Sequence, residues 1–250
     1  MCICMCRQQN SNKENMKTFE ELKEDLLQRA KDAGACQKGY EMGLRSASKL
    51  DLLKAITENW YWVLRDAEIV DAKYLEENFT EEELNEAGIY TQKYHEVKTA
   101  SFACGSATVK AYGSATVEAY GSATVEAYGS ATVEAYGSAT VKAYGSATVE
   151  ACGSATVEAY DSATVKAYGS ATVKAYDSAT VKACDSATVE AYGSATVKAY
   201  GSATVKAYDN SYVEDRTGNI RPQSGYAIVK DYHNHKIYIK KGRFEVIEID

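Results

Sequence analysis

No part of this 250-residue chain is strongly basic. Residues 17–90 carry ten Lys and Arg against seventeen Asp and Glu, which accounts for the whole net charge of −7. Residues 105–208 hold seven Lys against six Glu and three Asp, and residues 209–250 balance at seven each. A protein that grips a phosphate backbone neutralises several phosphates together, so nucleic acid is excluded as a partner. No run of 18 apolar residues exists, which excludes a membrane-spanning helix and a membrane partner. The opening MCICMCRQQN has too short an apolar run and no charged flank before it to be an export signal. The seven cysteines therefore read as reduced thiols of a cytoplasmic protein. Cys2, Cys4 and Cys6 alternate instead of taking zinc-knuckle spacing, so no metal and no cofactor is expected. Residues 1–16 read as a disordered leader, with either Met1 or Met16 as the start.

Histidine is scarce too. The chain has three, none of them before residue 91. With no nucleophile–base pair and no metal cluster in the sequence, the expectation is that the chain is not an enzyme.

What is present first is helical. Thr18 and Glu21 form a capping box, followed by Phe19, Leu22, Leu26, Ala30 and Ala33 on one stripe, and Gly34 ends the turn. Ser48 and Asp51 open a second helix in which Leu52, Leu53, Ile56, Trp60, Val63 and Leu64 recur at three and four. A third, short helix runs from Thr80 and Glu83 to Gly88. A shorter helix is expected near Gly39–Ala47 and an irregular one near Ile69–Leu75. Trp60 and Trp62 stand two apart, so one belongs to the core and the other lies nearer the surface. Residues 17–100 thus read as an acidic helical domain. Its cluster Glu76, Glu77, Glu81, Glu82 and Glu83 is a solvated face, and the domain is the expected docking piece for a protein partner.

From Gly105 to Tyr208 the phrase [G/D]-S-A-T-V-[K/E]-A-[Y/C] is repeated thirteen times, and a worn copy, DNSYVEDR, follows. Self-similarity at a short fixed period signals stacked repetition. Alternation along A-T-V-[K/E]-A puts Ala, Val and Ala on one side and Thr and the charge on the other. An unpaired charge cannot face a dry interior, so Ala-Val-Ala is the inner side. The [Y/C]-[G/D]-S that follows makes a corner, where Gly or Asp takes left-handed backbone.

The letters that vary set the length of a coil. At a spacing of sixteen, one column reads Lys110, Glu126, Lys142, Glu158, Lys174, Glu190, Lys206, with alternating sign. The other reads Glu118, Glu134, Glu150 and then Lys166, Lys182, Lys198. No such order appears at twenty-four. Cys104, Cys152 and Cys184 also fall in one column, and at about 10 Å the last two are too far apart for a disulfide. Two octads per coil are predicted. Tyr112, Tyr128, Tyr144, Tyr160, Tyr176, Tyr192 and Tyr208 then form an unbroken ladder beside the alternating charges.

These residues are similar to two families. The Y-G-S phrase, the octad, the sixteen-residue coil and the Tyr ladder resemble the repeats of bacterial ice nucleation proteins. That family's outward T-x-T row falls here on Ala and Val. The fuller pattern, an acidic helical head before AYGSATV-type repeats, looks like octapeptide-repeat β-solenoid proteins of gut bacteria and their phages. That likeness covers most of the chain and implies a cytoplasmic protein, or a phage-encoded one expressed in a bacterial cytoplasm, without implying an activity.

The tail opens with TGNIRPQSG, which holds the sole proline, Pro222. YAIVKD, KIYIKK and FEVIEID then read as three strands, with His233 and His235 in a turn between the first two. The expected class is α+β: a helical domain at 17–100, a two-sided parallel β-solenoid at 101–208, and a hairpin-type β cap at 209–250 covering the open end. The expected function is structural, a rigid spacer or scaffold that self-associates. Three Glu followed by three Lys are self-complementary under a two-fold axis, which predicts an antiparallel homodimer through Glu118, Glu134, Glu150, Lys166, Lys182 and Lys198. Asp161 and Asp177 weaken its positive half. The competing reading is a repeat surface that recognises a periodic ligand such as a glycan or ice.

Overall fold

The structure, a computed structural model, describes residues 16–240. The Cys2–Cys4–Cys6 leader and the expected third tail strand, FEVIEID, lie outside the described residues. The described residues divide into two compact units that part between Gln92 and Lys93.

The first unit is helical. α1 (Phe19–Asp32) starts at the Thr18–Glu21 capping box and buries Leu22 and Leu26. α2 (Gln37–Arg45) buries no side chain. α3 (Lys49–Glu58), capped by Ser48, buries Leu52, Leu53 and Ile56. The sequence pattern carries this helix on through Leu64, but the α-helix stops at Glu58, and Trp62–Asp66 form a π-helical turn. Trp60, before that turn, is buried, and Trp62, at its start, is half-buried. α4 (Ala72–Asn78) and α5 (Glu81–Glu86) follow, the latter with a second capping box at Thr80 and Glu83. The unit ends in the two-residue strand β1 (Ile89–Tyr90).

The second unit is a parallel β-solenoid of about nine turns. β4 (Thr108–Ala111) to β16 (Thr204–Ala207) comprise one four-residue strand per octad, each starting at its Thr. Successive strands fall alternately on two sheets, so neighbours within a sheet are sixteen residues apart: Val157, for example, pairs with Val141 and Val173. Ala and Val of every octad are buried, while Thr and the charge face outward. At about 4.8 Å per coil the stack is roughly 40 Å long.

The ladder continues around the corners. Tyr128 N–H donates to Ala111 O at 2.9 Å, and Ser130 N–H to Gly113 O at 2.8 Å. Backbone polar groups are thereby paired where the chain turns as well as where it runs straight. The Gly or Asp of every corner has positive φ, as at Gly145 (+67°) and Asp161 (+55°).

Parallel register also extends past both ends of the octad run. β2 (Tyr94–Val97) pairs with β4, and β3 (Ser101–Ala103) pairs with the strand at Thr116–Ala119. At the other end the worn octad supplies β17 (Tyr212–Asp215), and β18 (Ile228–Asp231) adds one more parallel rung instead of opening a separate cap. Only then does β19 (Lys236–Tyr238) turn back antiparallel, making the hairpin, with His233 and His235 in its turn. The inner Ala column becomes Asp215 and Asp231 in these last rungs. Asp215 is buried and accepts from the N–H groups of Thr217, Gly218 and Ile220 at 2.7, 3.1 and 3.0 Å. A carboxylate held by three backbone donors is where the chain leaves the coil. On the other sheet Pro222 bridges Ala207. A proline has no N–H to offer a further strand, so it blunts that edge.

Candidate functional site: two outward faces

The two sheets carry the same octad outward with different letters. On the alternating face, the Cα register pairs Lys110 with Glu126, Glu126 with Lys142, Glu158 with Lys142 and Lys174, and Glu190 with Lys174 and Lys206. Each of these Glu residues holds one Lys: Lys110–Glu126 at 3.2 Å, Lys142–Glu158 at 3.5 Å and Lys206–Glu190 at 3.0 Å. Each also accepts from the Tyr two residues on, Tyr128 at 2.7 Å, Tyr160 at 3.0 Å and Tyr192 at 3.1 Å. The Tyr128 hydroxyl and then Lys110 hold the Glu126 carboxyl below the usual range; Lys206 and then Tyr192 do so for Glu190. The seven predicted tyrosines, Tyr112 to Tyr208, stack in one column with centroids 4.9–5.2 Å apart and rings within 5–12° of parallel.

The block face places like beside like. Glu118, Glu134 and Glu150 are consecutive partners in register, as are Lys166, Lys182 and Lys198. The blocks meet at Glu150–Lys166, 3.5 Å apart. Burial, and then the charge of Glu134, push the Glu118 carboxyl up to about 7. Beyond the octads the column continues as Glu214, which pairs with Lys198 at 3.3 Å, and Lys230. The adjoining column reads Cys104, Tyr120, Tyr136, Cys152, Tyr168, Cys184, Tyr200, Arg216, Tyr232. Its rings stack only at Tyr120–Tyr136, with centroids 4.7 Å apart. Arg216 takes a Tyr place and lies between two rings, 5.7 Å from Tyr200 and 4.7 Å from Tyr232. None of its cysteines is in a disulfide.

The corner aspartates have a role that the sequence reading lacked. Asp161 accepts from Gly145 N–H (2.9 Å), Asp177 from Asp161 N–H (3.3 Å), Asp185 from Gly169 N–H (3.0 Å) and Asp209 from Gly193 N–H (3.0 Å). Every Asp that replaces a corner Gly therefore ties its corner to the coil before it. The sixteen-residue spacing placed Asp161 above Gly145, but only the left-handed corner turns the carboxylate toward that N–H.

In the helical unit an apolar cavity of about 280 Å³ lies among α1, α2, α3 and the π-helical turn, lined by Leu26, Leu27, Leu52, Ile56, Trp62 and Val70 among others. Gly39 and Gly43 of α2 also line it, which is why that helix covers the cavity without filling it. Among the described residues no group of three His, Cys, Asp or Glu could hold a metal ion, and no helix is long and apolar enough to cross a membrane.

Coil length, inner columns and outward ladders together make the second unit a β-solenoid repeat module preceded by a few helices. No family model matches the chain, and neither a curated protein nor a solved structure is similar to it.

Proposed function

We propose that this is a non-enzymatic structural protein: a rigid β-solenoid spacer that self-associates as an antiparallel homodimer, with the helical unit as its protein-docking piece, working in a reducing cytoplasm. One observation carries the reading. The block face stacks three carboxylates and then three ammonium groups in register, while the alternating face, built from the same octad, places every charge beside its opposite. Like charges directly opposite on neighbouring strands repel. A second copy laid antiparallel sets each block against its opposite, so the arrangement that costs stability in one chain becomes complementary between two.

Sedimentation of the full chain at low salt is expected to give a dimer that dissociates as salt rises, because exposed charge pairs are screened. Reversal of Lys166, Lys182 and Lys198 to Glu is expected to leave a monomer; an unchanged mass overturns the reading. If the outward Thr and charge rows instead recognise a periodic glycan or ice, affinity for that ligand will grow with the number of octads.

A further inference from the structure

We infer that the two copies meet in one register, set by a two-fold axis that runs parallel to the strands and passes between the Glu150 and Lys166 rungs. The inference rests on the self-association reading and goes beyond it by fixing which rung meets which. One column defines the axis and a second, independent one accords with it. The charge and Tyr/Cys columns share the block face, since Tyr136 donates to Glu134 at 2.7 Å. Rotation about an axis along the strands reverses the stack and keeps each column opposite its own counterpart. The charge column inverts between Glu150 and Lys166, so Glu150 faces the partner's Lys166, Glu134 the partner's Lys182 and Glu118 the partner's Lys198.

The same rotation acts on the second column, which played no part in choosing it. Cys152 then faces the partner's Tyr168, and Tyr136 faces the partner's Cys184. Packed sheets lie about 10 Å apart, too close for two phenol rings pointing at each other but suited to a ring opposite a thiol. The four central places of the column are thus large against small. Only at the ends does Tyr120 fall opposite the partner's Tyr200, and Tyr120 is buried within its own chain, so no two rings collide there. The interruptions of the Tyr column, which weaken stacking within one chain, lie where the second copy needs room. Asp161 and Asp177 stay clear of the contact, because their carboxylates are held on corner N–H groups.

Six rungs by five residues cover roughly 29 Å by 16 Å, about 470 Å² per copy. That is at the small end for a specific interface, so the dimer is weak and salt-sensitive. It is best measured at tens of micromolar protein and low salt.

The test is a charge swap in the full chain. Glu134→Lys alone and Lys182→Glu alone each break an intermolecular pair twice, and each is expected to weaken dimerisation at least tenfold. Neither is expected to harm the fold, because each replaces like neighbours within the chain by unlike ones. Glu134→Lys with Lys182→Glu restores the pair and is expected to return affinity to within about threefold of the parent. The mismatched combination of Glu118→Lys with Lys182→Glu is not. A second measurement reads the other column: with Cys184 kept, the remaining cysteines replaced by Ala and Tyr136→Cys added, a short bis-maleimide is expected to yield a covalent dimer joined at 136 and 184. A dimer that the swap fails to rescue, or that never joins 136 to 184, overturns this register and leaves self-association standing. A chain that stays monomeric throughout overturns both.

Discussion

The two faces of the solenoid share backbone, core and corner, and differ in the order of two letters. On one, Lys and Glu alternate and seven tyrosines stack without a break; on the other, charges come in blocks and cysteines interrupt the rings. The core cannot tell them apart, since Val157 and Val165 are both fully buried in identical surroundings. The difference therefore lies wholly in the outward columns. An alternating column sets every charge beside its opposite along its own chain, whereas the blocked column sets like beside like and forms ion pairs only where its blocks end, at Glu150–Lys166 and Lys198–Glu214. One fold thus carries two outward faces of different charge order and different aromatic continuity.

The largest expected difference between them is aromatic. Tyr144 has a ring on each side at 5.0 Å, whereas Tyr168 has Cys152 and Cys184 as its column neighbours. Each stacked contact contributes about 0.5–1.5 kcal/mol beyond area burial. Tyr144→Ala is therefore expected to destabilise the solenoid by about 1–3 kcal/mol more than Tyr168→Ala, read as the difference in denaturation midpoints. Equal losses would mean that the ladder adds nothing beyond burial.

Charge order comes next, with opposite signs on the two faces. Glu158→Lys removes the pair with Lys142 and leaves three lysines in succession, which is expected to cost about 1 kcal/mol. Lys182→Glu on the block face places a carboxylate between Lys166 and Lys198 and is expected to raise the melting temperature. Both are to be measured at protein concentrations where any dimer has dissociated. Losses of equal sign would show that register, not charge order, governs these columns.

Much of this contrast is legible in the sequence, because a period of sixteen projects the outward letters into columns directly. The capping boxes at Thr18 and Thr80 are equally plain, since each needs only local spacing. The extra turns are harder to see. Val213 and Val229 keep the sixteen-residue spacing, but Asp215 and Asp231 stand where Ala belongs and Arg216 where Tyr belongs, so the octad pattern fades although the fold continues. The π-helical turn at Trp62–Asp66 was hidden for a different reason: its apolar residues keep helical spacing while the backbone bonds widen. The corner bonds of the aspartates depend on side-chain direction in left-handed backbone, which no periodicity reports.

The two faces also respond to pH in opposite directions. The folded chain holds the Glu118 proton more tightly than the unfolded chain does, so stability falls as pH rises from about 4.5 to about 7 and stays lower above that. The half-buried position discounts the effect to on the order of 0.5–1 kcal/mol. Glu118→Gln is expected to remove this slope and to raise the midpoint at pH 8. For Glu126 and Glu190, held below the usual range, the contribution is present at neutral pH and is lost as pH falls through the carboxylate range. A Glu118→Gln chain that keeps the slope between pH 4.5 and 7 would refute this assignment.

The smallest effect is the interchange of Gly and Asp at a corner. Asp161 sits at φ +55°, a conformation that costs an L-residue about 1 kcal/mol, and recovers a comparable amount through its bond to Gly145 N–H. Asp161→Gly removes both the strain and the bond and is expected to change stability by less than about 0.5 kcal/mol. Asp161→Ala keeps the strain and loses the bond, so it is expected to cost about 1–2 kcal/mol, although Ala is the smaller change in shape. The order of the two variants in a urea titration decides the matter. If Ala is tolerated as well as Gly, the carboxylate bond is idle; if Gly is worse than Ala, the corner does not need its left-handed backbone.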